Sequence, residues 1–346
     1  MSRVMSAPKP GDLSALASSA SGVDAKGNLV YRGRFIITPN AQAAPTGGAG
    51  VPAIAVPDSQ PIVRADFETR VVDTIGRVKV QSGSRATVST DANGRLVAKT
   101  VVNPINNVDE WAVLSDGTVA FVRGHDYHVD LLKPDGKSSS SGKIPFDWKR
   151  LTDEDKQALI DSARAAIDKS IADARAAAPN AAAADRAASL AAMMAIGSIM
   201  SGGGDLGGVT MGGGRGGGMS MAAAMPAGGG MGGMGGMPMM PTMITEFVPL
   251  KEISDYYPPI RPGAVRADLD GNLWVLPTSS AQSKAGELIY DVINNRGELT
   301  HRVRLPVGRS IAGFGRNGVV YLMQRDASGG WFLERTKVLG GTRATD

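Results

Sequence analysis

The sequence predicts a mainly β chain: an array of short four-stranded antiparallel sheets, interrupted by an α-helical and Gly/Met-rich insertion. Three observations carry this reading. One strand–turn–strand phrase recurs, the runs between turns alternate apolar and polar residues over strand lengths, and the texture changes abruptly between residues 151 and 243. The clearest copy of the phrase is VRADLDGNLWVL at 265–276, and VDAKGNLVY (23–31), WAVLSDGTVAFV (111–122) and IAGFGRNGVVYL (311–322) echo it. Each has a polar residue and Gly at the turn, then a β-branched or aromatic run, which is a strong short-range hairpin signal.

In chain order, residues 1–21 are small and polar and predict a loose arm. Residues 22–150 form the first β part. The hairpin at 23–34 is followed by a Pro/Ala/Gly linker (39–61). IVRADFETRVVDTIGRVKV (62–80) then supplies two outer strands, with turns expected at 66–69 and near Gly76. A weaker strand–turn–strand surrounds Asp91-Ala92-Asn93-Gly94. The unit at 109–144 has strands at 110–114, 118–124 and 127–133. Its turns fall at Ser115-Asp116-Gly117 and Pro134-Asp135-Gly136, 138–142 is expected as a loop, and a fourth strand should begin at 143–146.

At Leu151 a helix is predicted, with Thr152 as N-cap and Asp153, Glu154 and Asp155 in the first turn, where the helix dipole favours anions. Leu159, Ala163, Ile167 and Ile171 mark one face, and Pro179 ends the helix. A second helix at 180–200 is almost all Ala, Leu, Met and Ile after Arg186. Residues 201–243 are a Gly/Met tract with no apolar run that could build a core alone. Residues 244–340 form the second β part, with units at 264–306 and 311–338, and 341–346 are a polar tail.

Units of roughly 40 residues with about four antiparallel strands match the period of a β-propeller blade, and such sheets must stack to bury both faces. DLDGNLWVL and LSDGTVAFV, each followed by a strand and an [Asn/Asp]-x-x-Gly turn, resemble the NHL/YVTN type of bacterial six-bladed propeller. DEWAVLSDGTVAFVRGHDYHVDLLKPDG and PFDWKRLTDEDKQALIDSAR are similar to envelope-associated members of that group. The resemblance spans 105–170 and 260–340 well and 22–80 loosely. A six-bladed ring would need about 240–280 residues of strand, more than the four good units and one poor unit supply. A β-propeller-like array is therefore expected in which either two blades have diverged or the ring is incomplete, and an incomplete ring would expose strand edges and sheet faces that the insertion 151–243 or a partner could cover.

Bulk properties exclude several chemistries. The chain has no cysteine, which removes disulfides and thiolate nucleophiles. Its 37 basic and 33 acidic residues give a net charge of +4 with no Lys/Arg run longer than Lys149-Arg150, so no nucleic-acid footprint is expected. No apolar run is long enough to span a bilayer, so no transmembrane segment of its own is expected. No nucleophile elbow, phosphate loop or helical His-Glu-x-x-His occurs, and no catalytic residue and no cofactor are expected.

His125, Asp126 and His128 are of metal-ligand type, but on a strand the two histidines point to opposite faces, and a turn followed by ordinary strand residues is the favoured reading. Asp268, Asp270, Asp116 and Asp135 could serve a channel metal, as in propeller lactonases, yet Asp beside Gly is what the turns themselves require. Trp111, Trp148, Trp274 and Trp331 are expected as core or edge anchors. Tyr256-Tyr257-Pro258-Pro259 is either a packed connector or a contact epitope.

The Met-rich stretch is the least ordinary feature, because methionine suits adaptable contact surfaces. Met193, Met194, Met200, Met231, Met234, Met237, Met239 and Met240, with Tyr256 and Tyr257, are the partner-binding candidates; a bare linker and thioether copper binding are the rival readings. The leading expectation is a non-enzymatic extrinsic structural or interaction subunit, docking on protein subunits of a larger membrane complex. A photosynthetic reaction-centre or light-harvesting assembly is one specific expectation, although no residue carries it. The alternatives are a metal-dependent propeller hydrolase or lactonase, and a soluble ligand- or glycan-binding propeller. The absence of a visible signal peptide points to the cytoplasm, whereas the resemblance implies a site peripheral to a membrane on the envelope or periplasmic side.

Overall fold

The computed structural model describes residues 21–33, 58–80, 85–90, 96–105, 107–200, 242–281, 288–325 and 329–338. The fold is mainly β. Three sheets have four antiparallel strands in sequential order: β1–β4 (Ser21–Val23, Leu29–Arg32, Ser59–Ala65, Val72–Lys79), β7–β10 (Glu110–Val113, Val119–Arg123, His128–Leu132, Ser138–Ser140) and β12–β15 (Val265–Ala267, Leu273–Val275, Leu288–Ile293, Leu299–Leu305). A fourth, β16–β18 (Arg309–Phe314, Val319–Arg325, Trp331–Lys337), has three. The remaining sheet joins β5 (Arg85–Thr90) and β6 (Leu96–Val102) to β11 (Thr242–Phe247), in the order β11-β6-β5.

Two copies of the recurring phrase and two further turns fold the same way. In the turns starting at Asp24, Leu114, Lys133 and Asn294, the first residue's N–H donates to the carbonyl four residues on. The glycine one position earlier returns an N–H to the first residue's carbonyl. Those glycines, Gly27, Gly117, Gly136 and Gly297, have φ between 81° and 85°, which only glycine adopts without steric cost. This is a three-residue loop closed by a left-handed glycine. The polar residues of the phrase tie it down: Asp24 accepts from the backbone of Lys26 and Asn28 and from the Asn28 amide, Asp116 from Thr118 N–H, and Asp135 from Lys137 N–H.

The four sequential sheets stack face to face. Val30, Ile62 and Val78 of the first meet Trp111, Val119 and Phe121 of the second. Ala120, Val122, Val129 and Leu131 of the second share a core with Leu273, Trp274, Tyr290 and Val292 of the third, and with Ile311, Val320 and Leu322 of the fourth. The hairpin tips line up along the stack: Gly117 lies on the backbone of Ala25, and Gly271 lies beside the Ser115 hydroxyl. At the last step the Asp270 carboxylate accepts the N–H groups of Asn317 and Gly318 at 2.9 and 2.7 Å. Both of those residues have positive φ, so their N–H groups point out of their own turn. The sequence phrase thus sets the sheets in register with one another, beyond closing each hairpin.

Two local expectations are corrected. Gly76 lies inside β4 at a bulge, with Ile62 opposite it and Val63 opposite Thr74. A side chain at Gly76 would sit 2.5 Å from the Phe121 ring, so this position permits close sheet contact where a turn was expected. The fourth strand of the second sheet is Ser138–Ser140, earlier than the expected 143–146, because serines bond across to β9: the Ser140 hydroxyl donates to Asp130, and Ser141 Oγ accepts from Val129 N–H. The two strands expected in the weaker unit at 83–103 are present as β5 paired antiparallel with β6, the turn at 91–94 lies outside the described residues, and β11 adds to β6 in parallel with Thr242 opposite Val97 and Phe247 opposite Val102.

Two helices pack on that sheet. Helix α1 (Asp153–Ala176) starts with the predicted Thr152 cap, in a reciprocal box with Asp155. Its buried residues are Lys156, Ile160, Ala163 and Ile167. Helix α2 (Ala181–Met200) buries Ala188, Ala192 and Ile196. Ile167 and Ile196 meet Val102, with Phe247 against them. No described helix is long and apolar enough to cross a membrane.

Candidate functional site

The helical pair presents the least ordinary surface. From Ala187 to Met200 helix α2 carries no charged residue, so its apolar character is not confined to the buried stripe. On the face away from Ala188, Ala192 and Ile196, Leu190 is 53% and Met194 68% exposed, one helical turn apart. Met193 is half-buried. A surface helix that keeps apolar residues on its outer side is a contact surface in form. The Met200 side chain and Met231, Met234, Met237, Met239 and Met240 lie outside the described residues.

The base of the pair is stapled. Leu151 N–H donates to the Asp255 carbonyl and Tyr257 N–H to the Lys149 carbonyl, around a bridge between Arg150 and Tyr256. Inside this clasp the Lys156 ammonium, 3% exposed, donates to Asp255 at 2.6 Å and holds that carboxyl below its usual range. Tyr257 is buried with Ile105, Leu151, Ile160, Val248 and Ile253, and its hydroxyl accepts from Arg261 at 2.6 Å. It is therefore a packed connector. Tyr256 is half-exposed, at the outer end of an edge-to-face ladder that runs inward through Trp148 and Phe146 to Tyr127, with centroids 6.3, 5.2 and 5.8 Å apart. The candidates thus divide: Met194 and Tyr256 are accessible, Tyr257 is not.

The histidine cluster lies on the second sheet. His128 sits between Asp126 (2.6 Å from Nδ1) and Asp130 (3.2 Å from Nε2), and His125 is exposed in the preceding turn. Arg123 donates to Asp130 and Asp109. Burial raises the Asp130 pKa, but the Ser140 hydroxyl and Arg123 outweigh it and leave that carboxyl below its usual range. Among the described residues no group of three His, Asp or Glu side chains has the arrangement of a metal site. The turn aspartates are engaged by their own chains: Asp268 accepts from the backbone of Asp270 and Asn272, from the Asn272 amide, and from Trp274 Nε1 at 2.9 Å.

Sequence reasoning missed two buried groups, since each depends on partners remote in the chain. Asp291, between the second and third sheets, accepts the Tyr127 hydroxyl at 2.8 Å and Arg302 Nε at 3.0 Å. Burial pushes its carboxyl up in pKa, against the pull of both donors, and the Tyr127 hydroxyl is pushed well above the usual phenol range by burial and then by Asp291. Glu110 on β7 is likewise raised by burial, with Arg32 3.7 Å away in opposition. These groups are enclosed between sheets, so what they do chemically is hold the sheets together.

Comparison with protein-family models, with curated proteins and with solved structures finds no match for the chain.

Proposed function

We propose that the protein is a non-enzymatic docking subunit: an incomplete β-propeller that carries a helical docking hairpin to a larger, membrane-bound complex. The observation that carries this reading is the outer face of α2 beyond Arg186, with Leu190 and Met194 exposed one turn apart. Apolar residues at that spacing are the anchors by which a helix seats in an apolar groove. The hairpin is held rigidly by the Lys156–Asp255 clasp and by the packing of Ile167 and Ile196 on Val102, so the face is presented and not left to find its orientation on contact. The Met/Gly tract that follows Met200 in sequence would extend the contact, since methionine adapts to irregular apolar surfaces. A photosynthetic partner has no residue in its favour and is not part of the proposal.

The test compares association with native membranes, solubilised in mild detergent, for the wild type, the double variant L190E/M194E, and a chain in which 201–241 are replaced by a Gly/Ser linker of equal length. Both variants should keep the wild-type circular dichroism spectrum and lose co-purification with the complex. Undiminished co-purification of the double variant would overturn the docking role of α2.

A further inference from the structure

Strand β18 carries a second contact surface, independent of α2. In the stack, β7 lies against β1 and β12, which makes the first strand of each sheet the inner one. The β16–β17 turn continues the row of hairpin tips through Asp270, so β16 is also an inner strand. The position filled by β4, β10 and β15 in the other sheets, outside the third strand, has no occupant beside β18 among the described residues.

This edge, beside which no described strand lies, can be read residue by residue. Val338 N–H donates to the Gly318 carbonyl, and the ladder runs without a shift from Val319 opposite Lys337 to Arg325 opposite Trp331. In an antiparallel ladder hydrogen-bonded pairs alternate, so 332, 334 and 336 bond to β17. Trp331, Leu333, Arg335 and Lys337 direct their N–H and C=O groups outward. Edge strands are normally blunted by charge, proline or a bulge. Here Trp331, Phe332 and Leu333 run consecutively and are 62, 58 and 68% exposed.

We propose that β18 pairs antiparallel with β18 of a second copy about a two-fold axis at Leu333, joining two three-stranded sheets into one of six strands. The strand is complementary to itself in this register. Leu333 faces Leu333, Trp331 faces the second copy's Arg335, and Phe332 faces its Glu334; the outward N–H and C=O groups of 331, 333 and 335 all find partners. Trp331 already stacks under one guanidinium, Arg325 at 5.8 Å, and a second on its other side repeats that contact. Centring on Glu334 instead sets two carboxylates opposite each other, which is destabilising. Centring on Phe332 overlaps only 331–333.

The chain has no cysteine, so single cysteines report the register. Paired Cα atoms lie about 5.5 Å apart, within disulfide range. L333C should therefore oxidise to a reducible covalent dimer, whereas E334C, two residues out of step with itself, and S139C on the edge strand β10 should not. By light scattering the wild type should have twice the 35.8 kDa chain mass, and L333K the mass of one chain with an unchanged circular dichroism spectrum. A wild type that stays monomeric up to its solubility limit, an L333K that stays dimeric, or an L333C that cross-links no faster than E334C or S139C overturns the proposal. The cysteine arm does not depend on how L333K folds. Membrane association through α2 can fail while this dimer stands, and the reverse.

Discussion

Replacing Asp268 with alanine tests whether the repeated phrase is architectural. The carboxylate is buried and accepts four hydrogen bonds: two turn N–H groups, the Asn272 amide and the Trp274 indole, at 2.8 to 2.9 Å. In the variant the turn groups lie close enough to solvent to regain water, so their loss costs about 1 kcal/mol in total. Trp274 is 3% exposed, in the core shared by three sheets. Its N–H would be left without an acceptor, at a cost of about 1–3 kcal/mol. The sum is about 2–4 kcal/mol of stability, measured by urea unfolding followed through tryptophan fluorescence. Asp268→Asn keeps one carbonyl acceptor and should lose about half as much. A D268A loss below about 1 kcal/mol, or equal losses for the two variants, would refute the assignment of Asp268 as the buried anchor of its turn.

Three further outcomes are expected. Tyr127→Phe removes one donor from buried Asp291 and should destabilise by about 1–2 kcal/mol at neutral pH. That donor favours the charged carboxylate, so the deficit should shrink as the pH falls and Asp291 protonates, which unfolding at two pH values would reveal. Glu110 has a folded pKa above its ordinary 4.5, so between 4.5 and the folded value the native state holds more protons than the unfolded chain. Its contribution to stability therefore declines as pH rises through that window, and E110Q should flatten this part of the stability–pH curve. Gly117→Ala meets both a φ of 82° and the backbone nitrogen of Ala25 at 2.5 Å, and should cost about 2–4 kcal/mol. Gly136→Ala has a similar φ of 85° with open space around it, and should cost only about 1–2 kcal/mol, so the difference measures the contact between hairpin tips.

What the sequence made legible is what its short-range chemistry decides. The turns at 24–28, 114–118 and 294–298 follow from glycine and its polar neighbours, and the start of α1 follows from Thr152 and Asp155. Where pairing is set by distant partners, local pattern was silent. Nothing near Thr242 announces that it lies beside Val97. The serines of β10 have a loop's composition and become a strand because Asp130 and Val129 lie opposite them. Gly76 reads as a turn in isolation and proves to be clearance for Phe121, a residue of another sheet. The candidate site divides along the same line. The uncharged run of α2 was visible, but which of its methionines face outward depended on which side Val102 and Ile167 cover.

The parallel pairing of β11 with β6 orders events during synthesis. A ribosome delivers β5 and β6 early, then all of β7–β10, α1 and α2, before Thr242 exists to fill the far side of β6. Until then one edge of β6 has no strand beside it and the helices have only part of their platform. The sequential sheets need no such delay, since each closes from neighbouring hairpins, and non-local parallel contacts are intrinsically slow to form. The clasp partners at 255–257 emerge only a few residues after β11. Completion of the small sheet and fastening of the hairpin therefore fall close together, after the second sheet and both helices have emerged. In refolding, amides of β8 and β9 should gain exchange protection before those of β6, so the face offered by α2 is set in place only after the second sheet has closed.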